Sequence, residues 1–413
     1  MKKIVYIFIS LFFLYGTGTS SADFKIKSLH IYGNTRTRDK VILGRLRIKT
    51  GETISAKKFT LIRKYFLREF FVNNVEFRLR PEQQRGDFSL LVITKERGIF
   101  SINPIIGDNN VFGFYAGLGL DAYNVIGYGN NLKLLFQAGG VDKRVLGLSN
   151  KWCGPGASLW FNAEYSGISF PYLFDDIESS KRLSIKTSKG AIGVHVTKEL
   201  SMGVEAGREK VSFGDASFMI SKSREDDISF YGFIGRIDTR DWPFYPSEGS
   251  LITLDYKNWL INGSYLFKQM DLEMRSFSHL KSGSIVAVRI KMVLSQGVVP
   301  FYKRVHMGGG NTLRGFRTGS VFGENGFLLS AEYRIPLLYV RRPFSGMNTG
   351  VLGVLFIDSG SAWFRHQEKK ERVFHTSVGV GLHLVLGKLL LRAEYGYHGE
   401  GAGFLSAGTG VMF

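Results

Sequence analysis

Leu405-Ser406-Ala407-Gly408-Thr409-Gly410-Val411-Met412-Phe413 ends the sequence on an aromatic residue, and Ala407, Thr409 and Val411 recur on every second position before it. Successive side chains of a strand point to opposite faces, so this spacing predicts a strand. Working back from it, Leu389, Leu391, Ala393, Tyr395 and Tyr397 alternate with Arg392 and Glu394. Phe327, Leu329, Ala331, Tyr333 and Ile335 form a second apolar row, which turns Glu332 and Arg334 to the other face. A third runs through Val286, Val288, Ile290, Met292 and Leu294, with Arg289 and Lys291 between. In a membrane barrel such rows face lipid and the charges face a wet lumen. A soluble β-sandwich alternates in the same way, so periodicity alone leaves both architectures open.

The N-terminus weighs on that choice. Lys2 and Lys3 precede an apolar run from Ile4 to Tyr15, and small residues follow up to Ser20-Ser21-Ala22. This is the pattern of a cleaved signal peptide, too short to span a bilayer as a helix, with cleavage expected after Ala22. Downstream no apolar run reaches the length of a membrane helix, although 44% of the chain is hydrophobic, 14% is aromatic and 50 residues are glycine. Export, aromatic content and the terminal strand together select a transmembrane antiparallel β-barrel. At about 20 residues per strand and turn, segment 99–413 suits roughly sixteen strands. The barrel has to close, because an open edge in hydrocarbon leaves backbone groups without partners.

Between 23 and 98 the periodicity switches between strand and helix. Leu29 and Ile31 share one face of a strand over 27–32, which Gly33-Asn34 turns. A helix capped by Thr37 is expected next, with Asp39 in its first turn and Val41, Ile42 and Leu46 as its apolar stripe. A second helix starting at Ser55 buries Phe59, Ile62, Phe66 and Phe70. Val75, Phe77 and Leu79 then alternate, a polar turn spans 81–87, and Phe88, Leu90 and Val92 alternate again. This order of elements resembles a polypeptide-transport-associated (POTRA) domain. The expected organisation is a signal peptide over 1–22, a periplasmic α+β POTRA-like domain over 23–98 and an outer-membrane barrel over 99–413.

A formal charge of +19 asks for anionic surroundings. An exported chain rarely meets nucleic acid, so the candidates are lipid phosphates at the membrane surface and a solvated lumen. The single cysteine, Cys153, excludes an intramolecular disulfide. No His-Glu-x-x-His, Gly-x-Ser-x-Gly or paired-cysteine spacing occurs, so catalytic residues, metal and cofactor are all expected to be absent.

His306-Met307-Gly308-Gly309-Gly310-Asn311-Thr312-Leu313-Arg314-Gly315-Phe316 is the most specific segment. It lacks the Gly-Lys-Ser/Thr of a phosphate-binding loop. Leu313, Arg314, Gly315 and Phe316 instead match the Arg-Gly-Phe/Tyr motif of the bacterial surface antigen family, the BamA-like outer-membrane assembly factors with sixteen-stranded barrels. Ser330-Ala331-Glu332-Tyr333 and Phe356-Ile357-Asp358-Ser359-Gly360 match two family strands in the family's order, and 405–413 resembles the terminal strand signal of outer-membrane barrels. The resemblance implies that the motif lies on a loop folded back into the lumen. Arg314 is expected to pair there with Glu332 and Asp358, since a guanidinium presents donors in a plane suited to carboxylates. Arg236-Ile237-Asp238-Thr239-Arg240-Asp241, with Pro246 and Gly249, also resembles a family segment and reads as a strand end and turn with local ion pairs.

By the same resemblance, the chain inserts or translocates unfolded outer-membrane or secreted client proteins. Its periplasmic domain captures the client, and a seam between first and last barrel strands opens to it. Expected surroundings are outer-membrane lipid, lipopolysaccharide and accessory lipoproteins. Gly408, Gly410, Val411 and Phe413 belong to the terminal strand, where the glycines suit a loosely packed edge. BamA-type members carry several POTRA domains and this chain has room for one. Two-partner secretion translocators usually have two and a plug helix, for which no candidate precedes Phe24. A dedicated secretion pore, a passive porin and a structural surface antigen therefore stay open.

Overall fold

The computed structural model describes residues 23–67, 69, 71–84, 86–109, 111–153, 158–172, 181–261, 263–340, 349–387, 389–399 and 403–410. The signal peptide, Phe70, Val411 and Phe413 lie outside them. The N-terminal unit runs β1 (Asp23–Tyr32), α1 (Asp39–Leu46), β2 (Thr53–Ser55), α2 (Ala56–Phe66), β3 (Val72–Pro81) and β4 (Asp87–Glu96). Its sheet has the order β2-β1-β4-β3, with β1 parallel to β4 and β3 at an edge. Ile26, Ile42, Leu46, Ile54, Phe59, Ile62, Phe66, Val75, Leu90 and Val92 fill the core between sheet and helices. Ser55 caps α2 by accepting from the Lys58 backbone N–H at 3.3 Å. Gly33 has φ +80°, and a Cβ there would stand 2.2 Å from the Thr94 carbonyl oxygen, so the turn after β1 requires glycine.

Two expectations for this unit are corrected. The short strand β2 was not foreseen, because three residues are too few for a period to show. Thr37 does not cap α1, whose first residue is Asp39 and whose N-cap is Arg38 without a side-chain bond. The Thr37 hydroxyl is committed elsewhere, donating to Glu96 and accepting from Asn124 Nδ2 at 2.7 Å.

The remaining chain forms β5 (Phe100–Asn109), β6 (Gly113–Tyr123), β7 (Asn131–Gly139), β8 (Asp142–Cys153), β9 (Ser158–Pro171), β10 (Arg182–His195), β11 (Leu200–Ser212) and β12 (Glu225–Asp238). It continues with β13 (Gly249–Ile261), β14 (Ser264–His279) and β15 (Ile285–Gly297). A small hairpin follows, β16 (Val305–Met307) with β17 (Val321–Gly323), before β18 (Asn325–Val340), β19 (Thr349–Trp363), β20 (His375–Leu386), β21 (Leu389–Tyr397) and β22 (Phe404–Thr409). All but the hairpin join into one closed sixteen-stranded antiparallel barrel in which β22 meets β5. Alternation places Ile192, Val204 and Tyr231 outside and Glu205, Glu209 and Glu332 inside. Strands near the closure are short, with 6 residues in β22 and 9 in β21 and β7, against 16 in β14 and β18.

The N-terminal unit is bonded to the barrel end from which β5 emerges. The Arg38 backbone N–H donates to the Gly127 carbonyl at 3.2 Å, and the Arg38 guanidinium lies 4.1 Å from the Tyr128 ring centroid, both in the β6–β7 turn. Glu69 accepts from Lys151 Nζ of β8 at 3.0 Å and stands 3.5 Å from the buried Arg45 Nε. Burial alone would raise the Glu69 carboxyl, but Arg45 and Lys151 outweigh it and hold the pKa at about 2. Lys198, in the β10–β11 turn, sits 5.7 Å from the Tyr65 ring of the domain.

Candidate functional site

The long connection from β15 to β18 leaves the far end of the barrel and turns back inward through the β16–β17 hairpin. Its tip is held by short-range bonds. Gly308 N–H donates to Thr312 Oγ1 at 2.8 Å, that hydroxyl donates to the Gly308 carbonyl at 2.9 Å, and Gly309 N–H donates to the Phe316 carbonyl at 3.0 Å. Leu313 is fully buried among Met307, Val321 and Leu328. Gly360 forms part of that floor, since a Cβ there would stand 3.3 Å from Leu313 Cδ2 and 3.0 Å from the Phe327 carbonyl oxygen.

Arg314 follows, with 1% of its surface exposed. Its Nε and Nη2 donate to the two oxygens of Asp358, each at 2.8 Å, and its backbone N–H donates to Asp358 Oδ2 at 3.1 Å. Nη1 donates to Glu332 at 2.6 Å and to Glu394 at 2.9 Å. The guanidinium also lies 3.6 Å from the Phe356 ring centroid. Isolated charges do not survive such burial, and the cluster balances them: Arg314, Arg334 and Arg392 face Glu332, Asp358 and Glu394. Arg334 donates to Glu332 at 2.8 Å, and Arg392 to Glu394 at 3.3 Å. Arg392 also bonds the Asn311 side chain, whose backbone carbonyl accepts from Arg289 at 2.9 Å.

Glu394 is the residue that sequence reading left out of the pairing. Alternation along β21 puts it on the lumen face, yet its reach to Arg314 depends on β18, β19, β20 and β21 being consecutive in the wall. His383 of β20 and Tyr245 were also missed. His383 Nε2 lies 3.0 Å from Glu394 and its Nδ1 lies 3.1 Å from the Tyr245 hydroxyl, which fits an imidazole donating to the carboxylate and accepting from the phenol. Tyr245 comes from the β12–β13 connection at the opposite end of the barrel, and its ring sits 4.6 Å under Arg334. In that connection Arg240 is buried and donates to Asp238 at 3.1 and 3.0 Å, while Arg236 donates to Asp238 at 2.7 Å. One loop and one turn thus meet from opposite ends on a single ionic cluster in the lumen.

Gly315, at φ +91°, lies directly on Gly396 of β21, where an added Cβ would stand 2.5 Å from the Gly315 nitrogen. Phe316 stacks on His398 at 4.3 Å and meets His375 edge-on at 5.5 Å. Gly396→Ala is expected to lift the motif off the wall and destabilise the barrel by about 1–3 kcal/mol. Urea unfolding and trypsin cleavage at the loop check this, and an unchanged midpoint with a protected loop would contradict it.

Among the described residues, the closure of the barrel is more sparsely paired than the ladders beside it. β5 and β6 pair continuously from Phe100↔Ala122 to Asn109↔Gly113, and β21 and β22 from Leu391↔Thr409 to Gly396↔Phe404. Between β22 and β5 the register contains the single pair Gly408↔Gly107 among the described residues. The Ile106 N–H, which points to β22, finds the Thr409 hydroxyl at 3.4 Å. Alternate residues of a strand donate to the same neighbour, so Pro104, two positions earlier, has no N–H to give this edge. Gly410, the last described residue, has φ +96° and donates to the Leu390 carbonyl at 3.0 Å, one step on from the Leu391↔Thr409 pair.

The Omp85 superfamily domain matches residues 124–403, and the POTRA family, described as a surface antigen variable number repeat, matches 24–97. The chain belongs to the Omp85 superfamily. Among curated proteins it is similar to the outer membrane protein assembly factor BamA of Nitratidesulfovibrio vulgaris, 24% identical over 306 residues that cover 72% of this chain and 38% of that one. This Omp85 chain therefore spans well under half the length of that relative. Among solved structures, BamA from Haemophilus ducreyi lacking POTRA domains 1–3 superposes with TM-score 0.61 and 16% identity, covering 94% of this chain and 84% of that one. CdiB from Acinetobacter baumannii gives TM-score 0.59 and 14% identity over 92% and 72%, and CdiB from Escherichia coli 0.57 and 11% over 97% and 93%. These structures show a shared fold. The Omp85 chain is an outer-membrane β-barrel whose N-terminal POTRA domain stands in the periplasm.

Proposed function

We propose that this Omp85 protein inserts client polypeptides into the outer membrane or exports them across it, without enzymatic turnover. The observation that carries the reading is the closure edge of β5, where Pro104 has no N–H to give and where, among the described residues, one register pair joins β22 to β5. A client strand offered at that edge gains backbone partners and lipid burial together, so neither ATP nor a cofactor has to drive the step. The unpaired edge strand β3 supplies a periplasmic docking edge, where an extended segment can add as a strand through main-chain bonds. The periplasmic POTRA domain is a part that a passive porin does not need.

Photo-crosslinking in cells from Arg78 on β3 and Thr409 on β22 tests the proposal. Many barrel precursors trapped at both positions would define an insertase, and one secreted protein a dedicated translocator. No client at either position would return the chain to the porin or surface-antigen class.

A further inference from the structure

The lipid-facing wall of β8 to β12 is not uniformly apolar. Ile192 and Val204 point outward there, each 57% exposed, and register carries the outward face from strand to strand. Toward the end opposite the POTRA domain, one row reads Arg144 on β8, Gly167 on β9, Lys186 on β10, Lys210 on β11 and Asp227 on β12. The next reads Leu146, Tyr165, Ser188, Arg208 and Ser229, and the one below it Leu148, Ala163, Gly190, Ala206 and Tyr231. Phe161, Ile192, Val204 and Phe233 lie deeper still. Cations therefore border the apolar wall toward the end opposite the POTRA domain.

Some of this charge is answered within the wall. Arg208 Nε donates to Asp227 at 2.6 Å, Lys210 donates to Glu225 at 3.3 Å, and Arg182 donates to Asp142 at 2.8 Å. Arg144 and Lys186 have no carboxylate partner among the described residues, and Arg144 instead lies 5.7 Å from the Phe136 ring. Lys186 stands directly opposite Lys210, which reaches Glu225 on its other side, so of this like-charge pair Lys186 is the cation left for an external anion. Beneath the cations the wall carries a shallow, open groove lined by Leu146, Leu148, Ala163, Tyr165, Gly190 and Ala206, with Glu164, Ser188 and Lys189 beside them. Small side chains form its floor and larger ones its rim.

We propose that this face binds a phosphorylated glycolipid of the outer leaflet, of the diphosphorylated lipid A class, with an acyl chain in the groove and phosphates across Arg144, Lys186 and Lys210. Adjacent strands are about 4.8 Å apart, so these cations span roughly 15 Å, more than one phosphate covers. Cations at this depth cost little because they reach the interface, and each gains from a phosphate beside it.

The test uses the full chain purified in detergent, with diphosphoryl lipid A, monophosphoryl lipid A and phosphatidylglycerol as probes, and native mass spectrometry to count retained lipid. Diphosphoryl lipid A is expected to be held in preference to the other two. Arg144→Gln with Lys186→Gln should weaken its retention by about 10-fold or more. Gly190→Leu should weaken it independently by filling the groove, where a Cβ meets only the Asn162 carbonyl at 3.9 Å and leaves the strand undisturbed. Heat-modifiable gel migration verifies that each barrel is folded, and Arg144→Gln alone replaces the double variant if that fails. Equal retention of phosphatidylglycerol, or unchanged retention in the folded variants, would overturn the proposal.

Discussion

Arg314→Ala is expected to abolish most of the folded, heat-modifiable barrel. Glu332, Asp358 and Glu394 are each at most 2% exposed, and the substitution leaves all three without the cation they share. Breaking a buried ion pair from one side costs about 3–5 kcal/mol, a large share of the roughly 5–15 kcal/mol that holds a domain together. Arg314→Lys should fall between. An ammonium restores the charge, but it cannot meet both Asp358 oxygens in one plane while reaching Glu332 and Glu394. Gel migration after heating, urea midpoints and trypsin cleavage within 308–320 rank the three proteins. Wild-type midpoints and a protected loop in Arg314→Ala would mean that the cluster does not hold the loop.

The second large effect belongs to the seam. Gly107 and Gly408 are directly paired; a Cβ on Gly408 would stand 3.6 Å from the Gly107 Cα, and one on Gly107 requires the Tyr115 side chain, 2.3 Å away at its hydroxyl, to swing aside. Facing positions on antiparallel strands lie within the span a disulfide accepts, about 4.4–6.8 Å between Cα atoms. With Cys153→Ser removing the native thiol, Gly107→Cys and Gly408→Cys should oxidise to a bridge that locks the β22–β5 edge. Client delivery, measured as periplasmic accumulation of whatever photo-crosslinking identifies, is expected to fall by about 10-fold and to recover with reductant, since the remaining ladders offer no unpaired edge. Undiminished delivery through an oxidised seam would remove the opening step from the mechanism.

The rows through Leu389–Tyr397 and Phe327–Ile335 were legible because a barrel wall has two unlike solvents, and every strand must alternate to serve both. The core of α2 was legible for the same reason at helical spacing. Thr37 was misread because local capping chemistry competes with a partner far along the chain, Asn124, that only the docked barrel brings near. Arg314 could be matched with Glu332 and Asp358 through motif order. Glu394, His383 and Tyr245 carry no local pattern, and their convergence depends on which strands adjoin and on a turn entering from the other end. The pairing of β22 with β5 is likewise a property of closure, although Pro104 is a readable hint that one edge lacks a donor.

The bonds between the POTRA domain and the barrel fall on the β6–β7 turn, β8 and the β10–β11 turn, all on one flank of the seam. They splint the first strands of the wall to the domain, so β5 has an anchored neighbourhood while β22 has six residues and one well-paired companion. Mechanically the two lips of the closure are unequal. Any force that parts them acts on a stiff lip and a compliant one, and the compliant lip carries Ser406, which stands 3.1 Å from where a Cβ on Gly310 of the loop would lie. In the proposed opening, displacement of β22 would therefore disturb the loop that Arg314 anchors, and the buried cluster would act as its restoring spring.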